Sequence, residues 1–180
     1  MKLAARLLRI HVPEFVRRRA LRELFEATAS SFGATAPDFE GLASGDLLER
    51  YAVFTSEHAS ALLRSGRDLA PVERDLYSSA HAIGARLREE LGINSTADAM
   101  AAARAIYGIL RIDFQGTGEG NVRIEHCFFS RFYTPSVCGL MSSLDQGLLA
   151  GLSAGGRLEF RRRITEGAPC CEAVFAEVSP

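Results

Sequence analysis

The sequence predicts an α+β fold in which Ala-rich N-terminal helices pack on a small antiparallel sheet. Two observations support this class. Apolar residues recur at helical spacing through the first 110 residues, whereas short, alternating, glycine-separated stretches follow them. The chain has 180 residues, of which 47% are hydrophobic, so it can build one domain with an apolar core.

The first half predicts a series of amphipathic helices. A basic amphipathic region covers residues 1–31, and a single α+β domain is expected over 44–180. Pro13 and Pro71 suit the first turn of a helix, and Ser44 or Asp46 can cap one. The predicted helices cover 13–31, about 44–65, 71–92 and 97–110, with a loop over 32–44.

The second half predicts strands around one long helix. Strands are expected over 121–129, 157–165 and 170–178, and a helix over 135–152. The last two strands should form an antiparallel hairpin around Glu166 and Gly167. Alternation places Val122, Ile124 and His126 on one side of the first strand, and Arg161 and Arg163 on one face of the second.

The formal net charge of −1 argues against a nucleic-acid-binding protein, which would carry a basic surplus. No run of 18 uncharged apolar residues is present, so we expect no integral membrane segment. Arg6 and Arg9 interrupt the apolar N-terminal stretch, and no small-residue cleavage site follows, so we expect no secretory signal. These features favour a cytoplasmic protein with four reduced cysteines. The oligomeric state stays open.

Residues 1–22 carry seven basic side chains and one acid, Glu14, beside an apolar side. A basic amphipathic helix of this kind can contact an anionic membrane surface peripherally, or dock on its own domain with its arginines in water. Both alternatives stay open.

The predicted helix over 135–152 carries the candidate catalytic residues. At 100° per residue, Cys138 and Asp145 lie about 20° apart on the helix surface, and Ser142 lies about 40° from Cys138. The positive helix N-terminus lowers the pKa of a thiol in the first turn. Cys138 is therefore a candidate nucleophile and Asp145 a proton-handling group. The alternative is a small apolar residue beside a solvated carboxylate.

Arg163, beside Thr165, is a candidate for binding a carboxylate, although a solvated sheet edge explains the same arginines. His126 is the single histidine near these residues and is a further candidate for substrate binding. We expect no cofactor. Zinc held by Cys127, Cys138 and Cys171 is the alternative, although Cys-x-x-Cys spacing is absent.

Two family resemblances follow from these residues. The string over 163–167, Arg-Ile-Thr-Glu-Gly, and the later Cys171 resemble the C-terminal motif of the L-2-amino-thiazoline-4-carboxylic acid hydrolase-like family. Cys127 with two following phenylalanines, Cys138 and Asp145 are similar to that family's cysteine and aspartate pattern. The resemblance covers about residues 47–175.

This resemblance implies hydrolysis of a small cyclic C–N substrate, opened to a carbamoyl-cysteine. It implies that Cys138 attacks the ring or that Asp145 activates water. Arg163 would bind the substrate carboxylate. Thr165, His126 and Ser142 would complete the substrate site.

The chain also resembles the 4-vinyl reductase-type small-ligand-binding domain through Cys127, Cys138, the run over 147–152 and the glycine-then-cysteine ending. This second resemblance implies a non-catalytic binding or sensory domain. The two alternatives differ in geometry. A hydrolase requires Cys138 and Asp145 to share a cavity within reach of an arginine, whereas a binding domain requires only an apolar cavity.

Overall fold

The protein is described by a computed structural model covering residues 12–176. The first third of the predicted basic region, residues 1–11, and the end of the last predicted strand, residues 177–178, lie outside the described residues. The helices are α1 (Glu14–Ser31), α2 (Ser44–Arg64), α3 (Ala70–Leu91), α4 (Thr96–Ile109) and α5 (Pro135–Ser153). The strands are β1 (Ile112–Gly116), β2 (Asn121–Cys127), β3 (Arg157–Arg162) and β4 (Cys171–Ala176). The predicted α+β class is confirmed.

The four strands form one antiparallel sheet in the order β1-β2-β4-β3. The predicted pairing of the last two strands is confirmed. β1 was not predicted, because this strand has only five residues and begins directly after α4, although buried Ile112 and Phe114 alternate with exposed Asp113.

Two register shifts change which side chains face inward. Ile112 pairs with Cys127 and Phe114 with Ile124, so β2 holds one residue more than β1 between these pairs. His126 is therefore exposed and Cys127 turns inward, opposite to the predicted alternation.

The second shift lies at the end of β3. Phe160 pairs with Ala173 and Arg162 with Glu172, so β3 carries an additional residue there. Arg161 stays exposed whereas Arg163 is half-buried, so the prediction that they share a face is wrong. The strand ends at Arg162, and a 3₁₀ turn (Ile164–Glu166) replaces its predicted continuation to residue 165.

The main core lies between the sheet and the helices, and it includes Leu21 and Phe25 of α1 as well as Leu149 and Leu152 of α5. None of the helices within residues 12–176 is long and apolar enough to cross a bilayer.

Helices α3 and α5 make backbone contact through glycines. A methyl group on Gly147 would overlap with the carbonyl oxygen of Tyr77, and one on Gly84 with the carbonyl oxygen of Leu148. Gly151 faces the carbonyl oxygen of His81 in the same way. These residues fix how closely the two helices approach.

We therefore expect Gly147→Ala to lower the free energy of unfolding by about 2 kcal/mol, because the helices must separate. Gly139→Ala is the matched control. It lies in the same helix, is exposed and has no neighbour that a methyl group would meet, so it should gain about 1 kcal/mol from helix propensity. Urea denaturation measures both, and equal effects of the two variants would contradict this role for Gly147.

Candidate functional site

A cavity of about 630 Å³ lies between α1, α3, α4 and α5. Its walls are mostly aliphatic, and they include Leu24, Leu87, Ile106 and Leu148, one from each helix. Exposed Asp98 marks the side that opens to solvent. A ligand entering here would exchange water for hydrocarbon over most of its surface.

Polar groups gather at the inner end of the cavity. Asp145 and Cys138 of α5 both line it, and they lie about two helix turns apart. The predicted placement of these two residues on one side of the helix is confirmed. Tyr107 and Cys127 line the same region from α4 and from the end of β2.

The Asp145 carboxylate is held by one short hydrogen bond. The Tyr107 hydroxyl donates to Asp145 Oδ1 at 2.6 Å. The Tyr107 ring is itself fixed by parallel stacking on Phe114 of β1, with centroids 4.7 Å apart. The sheet and α4 therefore position the donor, and α5 positions the acceptor.

Two further tyrosines line the cavity, but their hydroxyls are already used. Thr28 Oγ1 donates to the Leu24 carbonyl at 2.8 Å and therefore accepts from Tyr51 Oη at 3.0 Å. Thr55 Oγ1 donates in the same way within α2 and accepts from Tyr133 Oη at 2.6 Å. Both threonines are fully buried, and their hydroxyl oxygens accept hydrogen bonds from the tyrosine hydroxyls.

Burial dominates the electrostatics of this region. It raises the pKa of Asp145 to about 6, while the Tyr107 hydrogen bond and the positive charge of Arg163 partly oppose that shift. It also raises the pKa of the Cys127 thiol to about 12. Asp145 is therefore charged near neutral pH, whereas Cys127 stays a thiol.

The predicted lowering of the Cys138 pKa is wrong. Burial raises the pKa of this thiol, Thr165 opposes that shift, and the charges of Asp145 and Arg163 have smaller raising and lowering effects. The Cys138 amide donates to the Thr134 carbonyl at 2.9 Å, so this amide is not free to stabilise a thiolate.

The predicted substrate-binding residues do not converge on the cavity. Arg163 Nη2 donates to Ser142 Oγ at 3.0 Å, and Ser142 Oγ donates to the Cys138 carbonyl at 2.7 Å. Ser142 is buried on the side of α5 that faces β3, so neither it nor Arg163 lines the cavity. His126 is exposed on the sheet, away from the cavity.

Thr165 lies behind the cavity wall, next to the Cys138 thiol. Its hydroxyl is close enough to lower the pKa of Cys138, but it makes no hydrogen bond of good geometry. Arg163 Nε is likewise buried without a hydrogen-bond partner in the described part of the chain, and the guanidinium packs over the Phe160 ring at 4.4 Å. Arg163 therefore acts on the cavity only through its charge.

The alternative zinc set of Cys127, Cys138 and Cys171 does not form a ligand cluster. Between residues 12 and 176, no three His, Cys, Asp or Glu side chains are arranged to hold a metal ion. All four cysteines are free thiols, and the Cys171 sulfur accepts from the Ile164 amide at 3.4 Å.

The sequence reasoning missed the tyrosines of this site. The chain has only four, and Tyr107 is the one aromatic residue of the Ala-rich helix α4. A buried tyrosine needs a partner for its hydroxyl, so an inward-facing tyrosine was the available signal for a polar group nearby.

No known protein family and no curated protein matches the chain. Support for a function therefore comes from the cavity and from the groups that line it.

The raised pKa of Asp145 predicts a pH-dependent stability. Folding favours the protonated carboxyl, so this contribution is fully present below about pH 4 and is lost as the pH rises through about 6. Asp145→Asn keeps an acceptor for Tyr107 and removes the charge. We expect the variant to be more stable than the wild type by about 2 kcal/mol at pH 7.5, since one pKa unit is worth about 1.4 kcal/mol and part of the carboxylate faces the cavity.

At pH 4 this advantage should disappear. Urea denaturation from pH 4 to 7.5 measures the free energy of unfolding of both proteins. In the difference between the two values, the titration of all other carboxylates cancels. A difference that stays constant with pH would contradict the raised pKa.

Proposed function

We propose that the chain is a non-catalytic small-ligand-binding domain that holds an apolar molecule in the cavity between α1, α3, α4 and α5. The observation that carries this proposal is the cavity of about 630 Å³ with aliphatic walls and a few polar groups at its inner end. Pockets for small molecules have this size and composition. A sensory role would follow if occupancy changed the packing of α1 and α4, which form two of its walls.

The polar groups support binding better than hydrolysis. The Cys138 thiol has a raised pKa, so only a small fraction is nucleophilic at neutral pH. Arg163, which a substrate carboxylate would need, donates to Ser142 and does not line the cavity. A binding domain requires neither an activated thiol nor an accessible arginine.

The expected affinity follows from the apolar walls. Burying an eight-carbon chain contributes about 0.8 kcal/mol per methylene, or about 6 kcal/mol in total, from which the cost of immobilising the ligand is subtracted. A dissociation constant of tens of micromolar is therefore the tightest that such a chain alone would give. A larger ligand that fills more of the cavity would bind more tightly.

A hydrolase of a small cyclic C–N substrate is the second candidate, because Cys138 and Asp145 both line the cavity. In this alternative the Cys138 thiol adds to the C=N carbon and Asp145 passes the thiol proton to the ring nitrogen. A ring bond to that carbon then breaks, and water displaces the thiol to release the opened product. The raised pKa of Asp145 makes it a group that can both take and return a proton near neutral pH.

A side chain that fills the cavity should abolish binding. Ala105 lines it from α4, and we expect Ala105→Trp to weaken binding of the neutral dye Nile red at least fivefold without lowering the Tm. Ala82→Trp is the matched control on α3, at an exposed alanine that does not line the cavity. Fluorescence titration measures both, and equal dye affinity in the two variants would contradict binding in the cavity.

The second candidate makes a separate prediction. A hydrolase should release carbamoyl-cysteine from 2-amino-thiazoline-4-carboxylate, and both Cys138→Ser and Asp145→Asn should abolish release while the proteins stay folded. A binding domain should give no release above the buffer rate. Chromatography of the product distinguishes the two, and release that survives both substitutions would remove these residues as the catalytic pair.

A further inference from the structure

We propose that the cavity selects an apolar amine, a lipophilic monocation whose ammonium group pairs with Asp145. This inference rests on the proposed binding function and specifies its ligand. It follows from the charges that line the cavity and from what each of them already contacts.

Asp145 has acceptor capacity that the protein does not use. A carboxylate offers about four lone-pair sites, and the single hydrogen bond from Tyr107 occupies one of them. Among residues 12–176, no arginine or histidine forms an ion pair with this carboxylate. A buried carboxylate without a paired cation is costly, and a ligand that brings the cation relieves that cost.

The other charged side chains of the lining also favour a cation. They are Glu23, Asp98 and Arg86, so together with Asp145 there are three acids and one base. Arg86 is already engaged, since its Nη2 lies 2.6 Å from Glu23 Oε1 and its Nε 3.6 Å from Glu90 Oε1. An anionic ligand would therefore find no free guanidinium in the lining and would face Asp145.

Aromatic rings near the carboxylate add a second attraction for a cation. Tyr107, Phe129 and Tyr133 line the cavity together with Asp145. The faces of aromatic rings attract an ammonium group, most strongly where water is excluded. A neutral alcohol would gain the apolar burial and one hydrogen bond but neither charge term.

Three eight-carbon probes test the preference for a cation over a neutral or anionic ligand: n-octylamine, n-octanol and n-octanoate. Each is titrated at pH 7.5 against the Nile red complex of the full chain, and calorimetry measures the binding directly. We expect the amine to displace the dye at a concentration at least tenfold lower than the alcohol, and octanoate to be the weakest. Asp145→Asn should remove the amine's advantage over octanol. Asp75→Asn, at an exposed position away from the cavity, is the control with the same charge change and should behave as the wild type.

The outcomes separate the two proposals. If octanol binds and the amine binds no more tightly, the ligand class is wrong while the binding function stands. If neither probe binds and Ala105→Trp leaves dye binding unchanged, the binding function itself fails. If Asp145→Asn does not fold, the order of the three probes on the wild type still decides, since an amine that ranks with octanol overturns the inference.

Discussion

The close contact of α3 with α5 is the constraint on which the rest of the architecture depends. Glycines at the crossing let two backbones touch, so α5 is held on one side and its remaining surface serves two other neighbours. Ser142 accepts a hydrogen bond from Arg163, which follows β3, and on the adjoining part of the helix surface Cys138 and Asp145 border the cavity. Because helix–helix packing at this distance leaves no room for side chains between α3 and α5, the space for a ligand lies beside the crossing, where α1 and α4 complete the wall.

Asp145 is a buried acid that lowers the stability of the fold at neutral pH. Its carboxylate lies among hydrocarbon and thiols, with one hydrogen bond and the distant charge of Arg163 as compensation. A packed core would exclude such a group, and an aliphatic residue at this position would remove the penalty. Tyr107 is arranged to hold it in one orientation, since its ring stacks on Phe114. A strained balance of this kind is expected at binding sites more than in a scaffold.

The sequence was sufficient to predict the position of a side chain where that position depends on one helix or on one regular pair of strands. The helical spacing of Cys138 and Asp145 placed both on the cavity side of α5, and alternating residues predicted the pairing of β3 with β4. It failed where one extra residue changes the alternation: the register shifts turned His126 outward and Arg163 inward. Tyr107 was missed because its partner is 38 positions away in the chain, and only the packing of α4 on α5 brings the two together.

The threonines that accept hydrogen bonds from Tyr51 and Tyr133 disfavour neutral ligands that need a hydrogen-bond donor. The Tyr107 hydroxyl donates to Asp145, and the Tyr51 and Tyr133 hydroxyls donate to the two threonines. All three hydroxyl protons therefore point at the protein and not at a ligand. A ketone, ester or nitro compound would lose its hydrogen bonds to water on entering the cavity, and no tyrosine would replace them. The binding free energy would be weaker by roughly 1–3 kcal/mol for each unsatisfied oxygen. Thr28 and Thr55 would then contribute to the discrimination against such neutral acceptors, although a ligand need not touch either residue.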